Sequence, residues 1–285
     1  MVSYAMAFST LISTAVLASH LDDPVIVDCR FKLGDEKWGE REYTTLHIPG
    51  AVYGHLDRDF SGPKTGTNGR HPLPEPQALA ATFGRLGIAS GVQVVAYDQD
   101  NGMYASRLWW LLRWLGHDSV AVLDGGFTKW RAEGRPTASG EEHNAPREFR
   151  GSPRADMAID ANAVASLAGK ADWRLVDARA PERYRGESEP IDRTPGHIPG
   201  AANHFFQRNL AEDGTFRTPE ELRATLGGTI GPHVAPDHIV CYCGSGVTAC
   251  HNLLAFEHAG IKGAKLYPGS WSEWSSDPSR PVEKG

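Results

Sequence analysis

The chain has 285 residues, of which 40% are hydrophobic and 22% are charged, which is typical of a globular protein with about two domains. Its formal net charge of −6 gives no electrostatic signature of nucleic-acid binding, so we expect no nucleic-acid partner. Four cysteines in this length do not form the dense pattern of a small secreted disulfide protein. No run approaches the ~18 apolar residues of a membrane span. We therefore expect a cytoplasmic protein without a membrane partner.

The first predicted element lies near the N-terminus. Residues 6–21 contain Leu11, Ile12, Val16 and Leu17, but no basic region precedes them and serines and threonines interrupt the apolar run. This pattern predicts an amphipathic helix rather than a signal peptide.

The two halves of the chain repeat short strings in the same order. The string His-Ile-Pro-Gly-Ala at 47–51 recurs letter for letter at 197–201. Three further pairs of blocks correspond: 25–30 with 174–179, 94–97 with 239–242, and 123–130 with 267–274. The chain therefore carries one structural unit twice.

Within the first copy, β-branched runs at 25–29, 93–97 and 119–123 alternate with helical patterns at 76–86 and 106–115. Strands that alternate with helices predict a parallel sheet covered by helices on both faces. The predicted fold class is therefore α/β, with two tandem domains that each have a central parallel sheet.

The two copies are separated by a segment rich in Gly, Pro, Glu and Arg, which is typical of a linker. The predicted organisation is a first domain at 1–135, a linker at 136–158 and a second domain at 159–285.

Residues that both copies share are expected to serve the fold, whereas residues present in one copy are candidates for chemistry. By this criterion His47 and His197, which lie in the repeated string, are predicted to belong to structural turns.

The copies differ at the end of the matched strand 94–97, which corresponds to 239–242. The first copy continues with Asp98, and the second with Cys243 in the loop Cys-Gly-Ser-Gly-Val. Gly244 and Gly246 allow this loop to turn its N–H groups inward before a helix predicted at 248–258. The second copy is therefore expected to form a cradle for an anion.

A cysteine at the start of such a cradle faces the positive end of a helix dipole, which favours its thiolate. The same N–H groups are suited to holding a persulfide anion. The interpretation requires that the Cys243 sulfur be accessible, with amides turned toward it. The alternative is that Cys243 is an inert core cysteine.

Two other kinds of site have weaker support. Cys241, Cys243, Cys250 and His251 lack the paired Cys spacing of a structural zinc site, so we expect no metal. A phosphatase loop of the form Cys-x5-Arg needs an arginine where this chain has Ala249.

These residues resemble the rhodanese family, which has tandem domains, an inactive first copy, a six-residue loop at 243–248 and a Gly-Ser-Trp-Ser-Glu-Trp block at 269–274. The loop is similar to that of 3-mercaptopyruvate sulfurtransferases. Thiosulfate-preferring members typically carry Arg-Lys in place of Gly244 and Ser245. The loop itself offers neutral groups and backbone dipoles, which suit a dianion less well.

The resemblance implies roles for several side chains. Ser245, His71 and Asp59 match a catalytic relay that moves protons, with Cys243 as the nucleophile. Because Asp59 and His71 come from the first copy, both copies are expected to contribute to catalysis.

The resemblance also implies a set of substrate-binding residues. Arg183 matches an arginine that holds the substrate carboxylate. A second arginine of the family does not align cleanly here, because Ile191 or Asp192 occupies its place, and Arg193 is a candidate. The remaining predicted substrate-binding residues are those of the loop: Gly244, Gly246, Val247 and Thr248.

The implied activity is transfer of sulfur from 3-mercaptopyruvate to a thiol or cyanide through a Cys243 persulfide, without a cofactor. Two alternatives stay open at this point. One is an enzyme whose donor is thiosulfate, and the other is a rhodanese-like sensor or binding module in which Cys243 registers oxidants.

Overall fold

A computed structural model describes residues 8–285, and the chain folds as two compact units. The first unit contains the described residues up to Phe60, together with Pro74–Pro153 and Asp213–Thr215. The second unit contains Ser61–Leu73, Arg154–Glu212 and Phe216–Gly285. The segment Ser61–Leu73 therefore belongs to the second unit, although it lies within the first copy of the repeat.

The first unit is built on a parallel sheet with the strand order β1-β5-β4-β2-β3. Its strands are β1 (Leu11–Ile12), β2 (Val25–Asp28), β3 (Val52–Tyr53), β4 (Val94–Tyr97) and β5 (Val120–Leu123). Its helices are α1 (Thr14–Ala18), α2 (Trp38–Thr45), α3 (Leu56–Asp59), α4 (Pro76–Arg85), α5 (Ala105–Trp114) and α6 (Gly126–Ala132). Every residue of β2, β4 and β5 is buried, so both faces of the sheet are covered as predicted.

The second unit repeats this plan with the strand order β7-β6-β8-β9, again all parallel. Its strands are β6 (Arg174–Asp177), β7 (Ala202–Asn203), β8 (Ile239–Tyr242) and β9 (Lys265–Leu266). Its helices are α7 (Ala161–Leu167), α8 (Pro181–Tyr184), α9 (Pro219–Ile230), α10 (Thr248–His258) and α11 (Ser270–Trp274), and 3₁₀ turns cover Phe206–Asn209 and Pro236–His238. The α/β prediction is confirmed.

The register of the central strands explains why the divergent residues occupy equivalent places. In the first unit Asp28 pairs with Tyr97, and in the second Asp177 pairs with Tyr242. Asp98 and Cys243 each follow the paired tyrosine directly. Because the carboxyl ends of parallel strands meet at one edge of a sheet, each residue starts a loop at the edge where α/β proteins place their sites.

The N-terminal helix prediction is wrong in part. Leu11 and Ile12 form β1, which pairs with Val122 and Leu123 of β5, and only Thr14–Ala18 is helical. The apolar residues were consistent with either structure. Parallel pairing with a distant strand and capping of the helix by the Ser13 side chain decided between them. The start of the predicted helix, at residues 6 and 7, lies outside the described residues.

The repeated His-Ile-Pro-Gly-Ala strings hold equivalent structural positions. The Nδ1 atom of His47 lies 2.8 Å from the carbonyl of Tyr43, and that of His197 lies 2.8 Å from the carbonyl of Tyr184. The His47 ring stacks on that of Tyr43, and the His197 ring stacks on that of Tyr184. Both histidines are buried, which supports a structural role.

Each unit has its own apolar core, and the repeated aromatic residues lie at the centre of it. Tyr97 and Trp130 belong to the core of the first unit, and Tyr242 and Trp274 to that of the second. Burial of such large side chains is a major source of folding stability. None of the helices within residues 8–285 is both long enough and apolar enough to cross a membrane.

Candidate active site

Cys243 lies between a buried strand and a helix of the second unit. It follows β8 directly, and α10 begins five residues later at Thr248. Gly246 has φ +76°, and a Cβ atom there would lie 2.4 Å from the carbonyl oxygen of Pro268. Only glycine fits this position, so the close turn predicted from the sequence depends on it. We refer to residues 243–247 as the Cys243 loop.

Two backbone amides of the Cys243 loop point at the cysteine sulfur. The N–H of Ser245 lies 3.4 Å from Sγ and that of Gly246 lies 3.1 Å from it. Val247 and Thr248 form the N-cap and the first residue of α10. Amide donors at these distances stabilise negative charge on sulfur.

The sulfur is less accessible than the sequence argument requires. Cys243 exposes only 2% of its surface. The amide geometry therefore matches the expectation, whereas the exposure in this conformation does not.

The backbone of Cys243 is hydrogen-bonded to Ser270, the first residue of α11. The Ser270 hydroxyl accepts the N–H of Cys243 at 3.1 Å and donates to the carbonyl of Tyr267 at 2.9 Å. Ser270 has φ +54°, the one positive φ of a non-glycine residue in the described part of the chain. Such a backbone costs of order 1 kcal/mol and persists where surrounding contacts enforce it.

Ser270 was not among the sequence candidates, although the repeat contained a signal. The alignment of the two copies places Gly126 of the first copy opposite Ser270. Gly126 also has positive φ, at +60°, so the fold requires this conformation in both units. A serine in a glycine position is the kind of departure that marks a functional constraint.

Ser245 and His71 are brought together within the second unit. Ser245 Oγ lies 2.7 Å from His71 Nδ1, and both residues are buried. His71 reaches this position because the segment Ser61–Leu73 packs in the second unit. The Ser-His part of the predicted relay therefore has hydrogen-bonding geometry.

Asp59, the third predicted member of the relay, lies in the first unit. Its carboxylate accepts the N–H of His55 at 2.9 Å and pairs with Arg85 at 2.9 Å and with Arg58 at 3.4 Å. These contacts give Asp59 a structural function in its own unit. Its place in the relay stays a prediction.

Two guanidinium groups lie beside Gly244. A Cβ atom built on Gly244 would lie 2.7 Å from Arg70 Nη2 and 3.5 Å from Arg183 Nη1. The cations that the loop sequence lacks are therefore supplied by two other segments. Arg183 was predicted from the sequence, and Arg70 was not, although it directly precedes His71.

Two carboxylates accompany these arginines. Asp192 pairs with Arg70 Nη1 and, at 3.3 Å, with Arg183 Nη2. The Glu189 carboxylate accepts hydrogen bonds from Arg183 Nη2 at 2.7 Å and from Arg179 Nη1 at 3.2 Å. Although burial acts to raise it, the hydrogen bond from Arg183 and those from the backbone N–H groups of Asp192 and Ile191 hold the pKa of Glu189 below its ordinary value.

An acid, and not the candidate Arg193, contacts the two arginines. Asp192 contacts both arginines, whereas the candidate Arg193 is exposed. The sequence of this segment does not distinguish Ile191 from Asp192 at the place of the second arginine. Only the folded structure shows which residue faces the site.

The two neighbouring thiols differ from Cys243. Cys241 is fully buried in β8, and burial raises its pKa well above the ordinary value. Cys250 donates its thiol proton to the carbonyl of Gly246 at 3.3 Å. Within residues 8–285, no group of three or more His, Cys, Asp or Glu side chains is arranged to hold a metal ion.

Comparisons with known proteins agree with this architecture. The family described as "Rhodanese-like domain" matches residues 13–133 and again 160–277. A "Probable 3-mercaptopyruvate sulfurtransferase" of Pseudomonas aeruginosa is 46% identical over 98% of this chain and 100% of its own length. A "Thiosulfate sulfurtransferase" of Cricetulus griseus is 35% identical over 91% of this chain and 88% of its own.

A solved structure shows the same fold. The 3-mercaptopyruvate sulfotransferase SseA of Escherichia coli superposes with a TM-score of 0.80 at 31% identity, over 93% of this chain and 99% of that one. The chain therefore belongs to the rhodanese family, with two rhodanese-like domains in tandem. It is an enzyme, a sulfurtransferase of the type that acts on 3-mercaptopyruvate or thiosulfate.

Proposed function

We propose that this enzyme transfers sulfur from 3-mercaptopyruvate to a thiol or cyanide acceptor through a persulfide on Cys243. The observation that carries the proposal is the pair of amides, from Ser245 and Gly246, at 3.4 and 3.1 Å from the cysteine sulfur. Amides that face one atom stabilise both a thiolate and the persulfide anion that replaces it. Relatives named for mercaptopyruvate support the donor.

In the first half-reaction the Cys243 thiolate attacks the sulfur of the donor, and a sulfur–sulfur bond forms as the donor's carbon–sulfur bond breaks. The bonding electrons stay on carbon, so pyruvate leaves as its enolate. The proton of the donor thiol passes through Ser245 and His71 to the enolate carbon. The products are pyruvate and the Cys243 persulfide anion.

In the second half-reaction an acceptor thiolate or cyanide attacks the outer sulfur. This attack forms the acceptor's new bond to sulfur, breaks the sulfur–sulfur bond and returns the Cys243 thiolate. Each half-reaction begins and ends with one negative charge at the amide pair, so the loop need not rearrange its donors between them.

Arg183 and Arg70 are the groups suited to the donor carboxylate, because their guanidinium groups lie beside Gly244. The Nε–H of Arg70 is buried and has no hydrogen-bond partner among the described residues, which leaves a charged donor for the substrate. Gly244, Gly246, Val247 and Thr248 contribute the loop around the transferred sulfur. Arg193 is exposed, and its role in binding stays a prediction.

A donor comparison tests the proposed substrate. We expect kcat/KM of the wild-type enzyme to be at least about tenfold higher with mercaptopyruvate than with thiosulfate, since the Cys243 loop carries no cation of its own. Equal values or a preference for thiosulfate contradict the assignment.

The covalent step is tested by intact mass. Exposure of the enzyme to the donor without an acceptor should add the mass of one sulfur atom, and a thiol acceptor should remove it. Cys243→Ser should gain none, whereas the control Cys250→Ser should still gain it. Stepwise addition of oxygen alone indicates a redox sensor instead.

The relay is tested with Ser245→Ala. Because only mercaptopyruvate leaves as an enolate that needs a proton, we expect kcat to fall about 100-fold with mercaptopyruvate and much less with thiosulfate. An equal loss with both donors shows that Ser245 supports the loop rather than proton transfer.

The second candidate function is thiosulfate sulfurtransfer by the same nucleophile. It is favoured by the Arg70 and Arg183 guanidiniums, which place two positive charges near the loop. The carboxylates that pair with these arginines oppose it.

A further inference from the structure

The charges beside the Cys243 loop cancel. Arg70 and Arg183 contribute two positive charges next to Gly244. Asp192 pairs with both of them, and Glu189 pairs with Arg183. The side chains of Asp192 and Glu189 are only 7% and 2% exposed, so solvent screens these pairs weakly.

Asp192 is held in place by its own segment. The Glu189 carboxylate accepts the N–H of Ile191 at 3.2 Å and that of Asp192 at 3.1 Å. The same carboxylate binds Arg179 and Arg183. These bonds fix the turn at 189–192 to the arginines. They hold Asp192 in the position where it pairs with Arg70.

This neutralisation acts unequally on the two kinds of donor. Thiosulfate carries two negative charges, whereas mercaptopyruvate has one carboxylate charge. A change of one unit in the local charge therefore alters the logarithm of the affinity about twice as much for the dianion. A carboxylate paired with the arginines therefore weakens the binding of thiosulfate more than the binding of mercaptopyruvate.

We propose that Asp192 is a specificity-determining residue that disfavours dianionic donors by occupying Arg70 and Arg183. The inference rests on the proposed function in that Cys243 is the sulfur-accepting group. It assigns to Asp192 the discrimination that the neutral loop residues Gly244 and Ser245 only partly explain.

The test compares two donors that differ in charge but share a sulfur–sulfur bond to a sulfonyl group, thiosulfate and methanethiosulfonate. For Asp192→Asn we expect kcat/KM to rise about tenfold with the dianion thiosulfate and about threefold with the monoanion. The ratio of the two gains should shrink as ionic strength increases.

Two control variants isolate the role of the Asp192 charge. Glu187→Gln removes one negative charge from the same segment, but Glu187 is exposed and pairs with Arg185, at 2.7 Å, rather than with Arg70 or Arg183. It should change the donor ratio by less than about twofold. Asp192→Glu retains the charge and should keep the wild-type ratio. Thermal unfolding of each variant verifies that it is folded.

A binding measurement separates this inference from the proposed reaction. In the Cys243→Ser background, which has no nucleophile, Asp192→Asn should still tighten the Kd for thiosulfate about tenfold. If thiosulfate binding is unchanged or weaker, or both donors lose activity together, Asp192 only positions the arginines and the inference is wrong. A wild-type enzyme that prefers thiosulfate contradicts the proposed donor without affecting this test.

Discussion

Asp98 in the first unit occupies the place that Cys243 occupies in the second, and both face inward amides. The Asp98 carboxylate accepts the N–H groups of Asp100, Gly102, Tyr104 and Ala105 at 3.2, 2.9, 2.7 and 3.0 Å. Cys243 Sγ accepts hydrogen bonds from two backbone N–H groups, those of Ser245 and Gly246. The fold thus builds an anion site at the same strand end twice, and in the first unit the chain fills it permanently.

The occupants of these sites differ in chemistry rather than in location. Burial raises the pKa of the Asp98 carboxyl above its ordinary value, and the amide hydrogen bonds oppose that rise. A carboxylate held in this way has no transferable atom. A thiolate in the same place is a nucleophile.

The most severe test of this comparison makes the second loop resemble the first. Cys243→Asp should lower sulfur transfer by roughly a thousandfold or more, because the nucleophile is lost. We expect the variant to fold, because the equivalent strand end of the first unit, followed by a different loop, holds the Asp98 carboxylate on backbone amides. Steady-state kinetics and thermal unfolding report the two results. Retained transfer would show that Cys243 is not the nucleophile.

The converse test removes the charge from the first loop. Asp98→Asn replaces an all-acceptor group by one with a donating amide, so some of the four N–H groups lose their partner. We expect the free energy of unfolding to fall by about 1–3 kcal/mol. Urea denaturation measures it. An unchanged midpoint and slope would mean that the amides contribute no stability here.

A third test uses Gly126 and Ser270, which share a left-handed backbone. Ser270→Gly relieves the strain but removes the hydroxyl that anchors Cys243, so activity should fall about tenfold with stability within about 1 kcal/mol of wild type. Ser270→Ala keeps the strain and loses the same bond, so it should be less stable by about 1–2 kcal/mol. Equal stability of the two variants would contradict the strain argument.

The smallest effect concerns a carboxylate that only the second unit has. In the first unit, Arg30 Nη2 donates to the carbonyl of Leu46. In the second unit, Arg179 Nη2 donates to the carbonyl of Gly196, and its Nη1 donates to the Glu189 carboxylate. Because the folded pKa of Glu189 is lowered, its contribution to stability is complete above its ordinary value of about 4.3 and is lost as pH falls through the folded value.

Glu189→Gln should therefore cost about 1 kcal/mol near neutral pH, and the difference from wild type should disappear at acid pH. Unfolding midpoints measured from pH 7 to below pH 4 test this expectation. A difference that stays constant over this range would assign the effect to packing rather than to charge.

The sequence alone determined the tandem α/β fold, the position of Cys243 after a buried strand, and the glycine turn before α10. These features depend on residues that are close in the chain, and the repeat presents most of them twice. The helix predicted at Thr248–His258 and the structural role of His47 and His197 follow from the same local patterns.

Only the tertiary structure decided which distant residues meet at the Cys243 loop. Arg70, Asp192 and Ser270 lie in three segments whose spatial relation no local pattern encodes. The strand Leu11–Ile12 was missed for the same reason, because its pairing with β5 is a long-range contact. Local preference sets the elements, whereas the low exposure of Cys243 and the charge balance around it depend on how those elements pack.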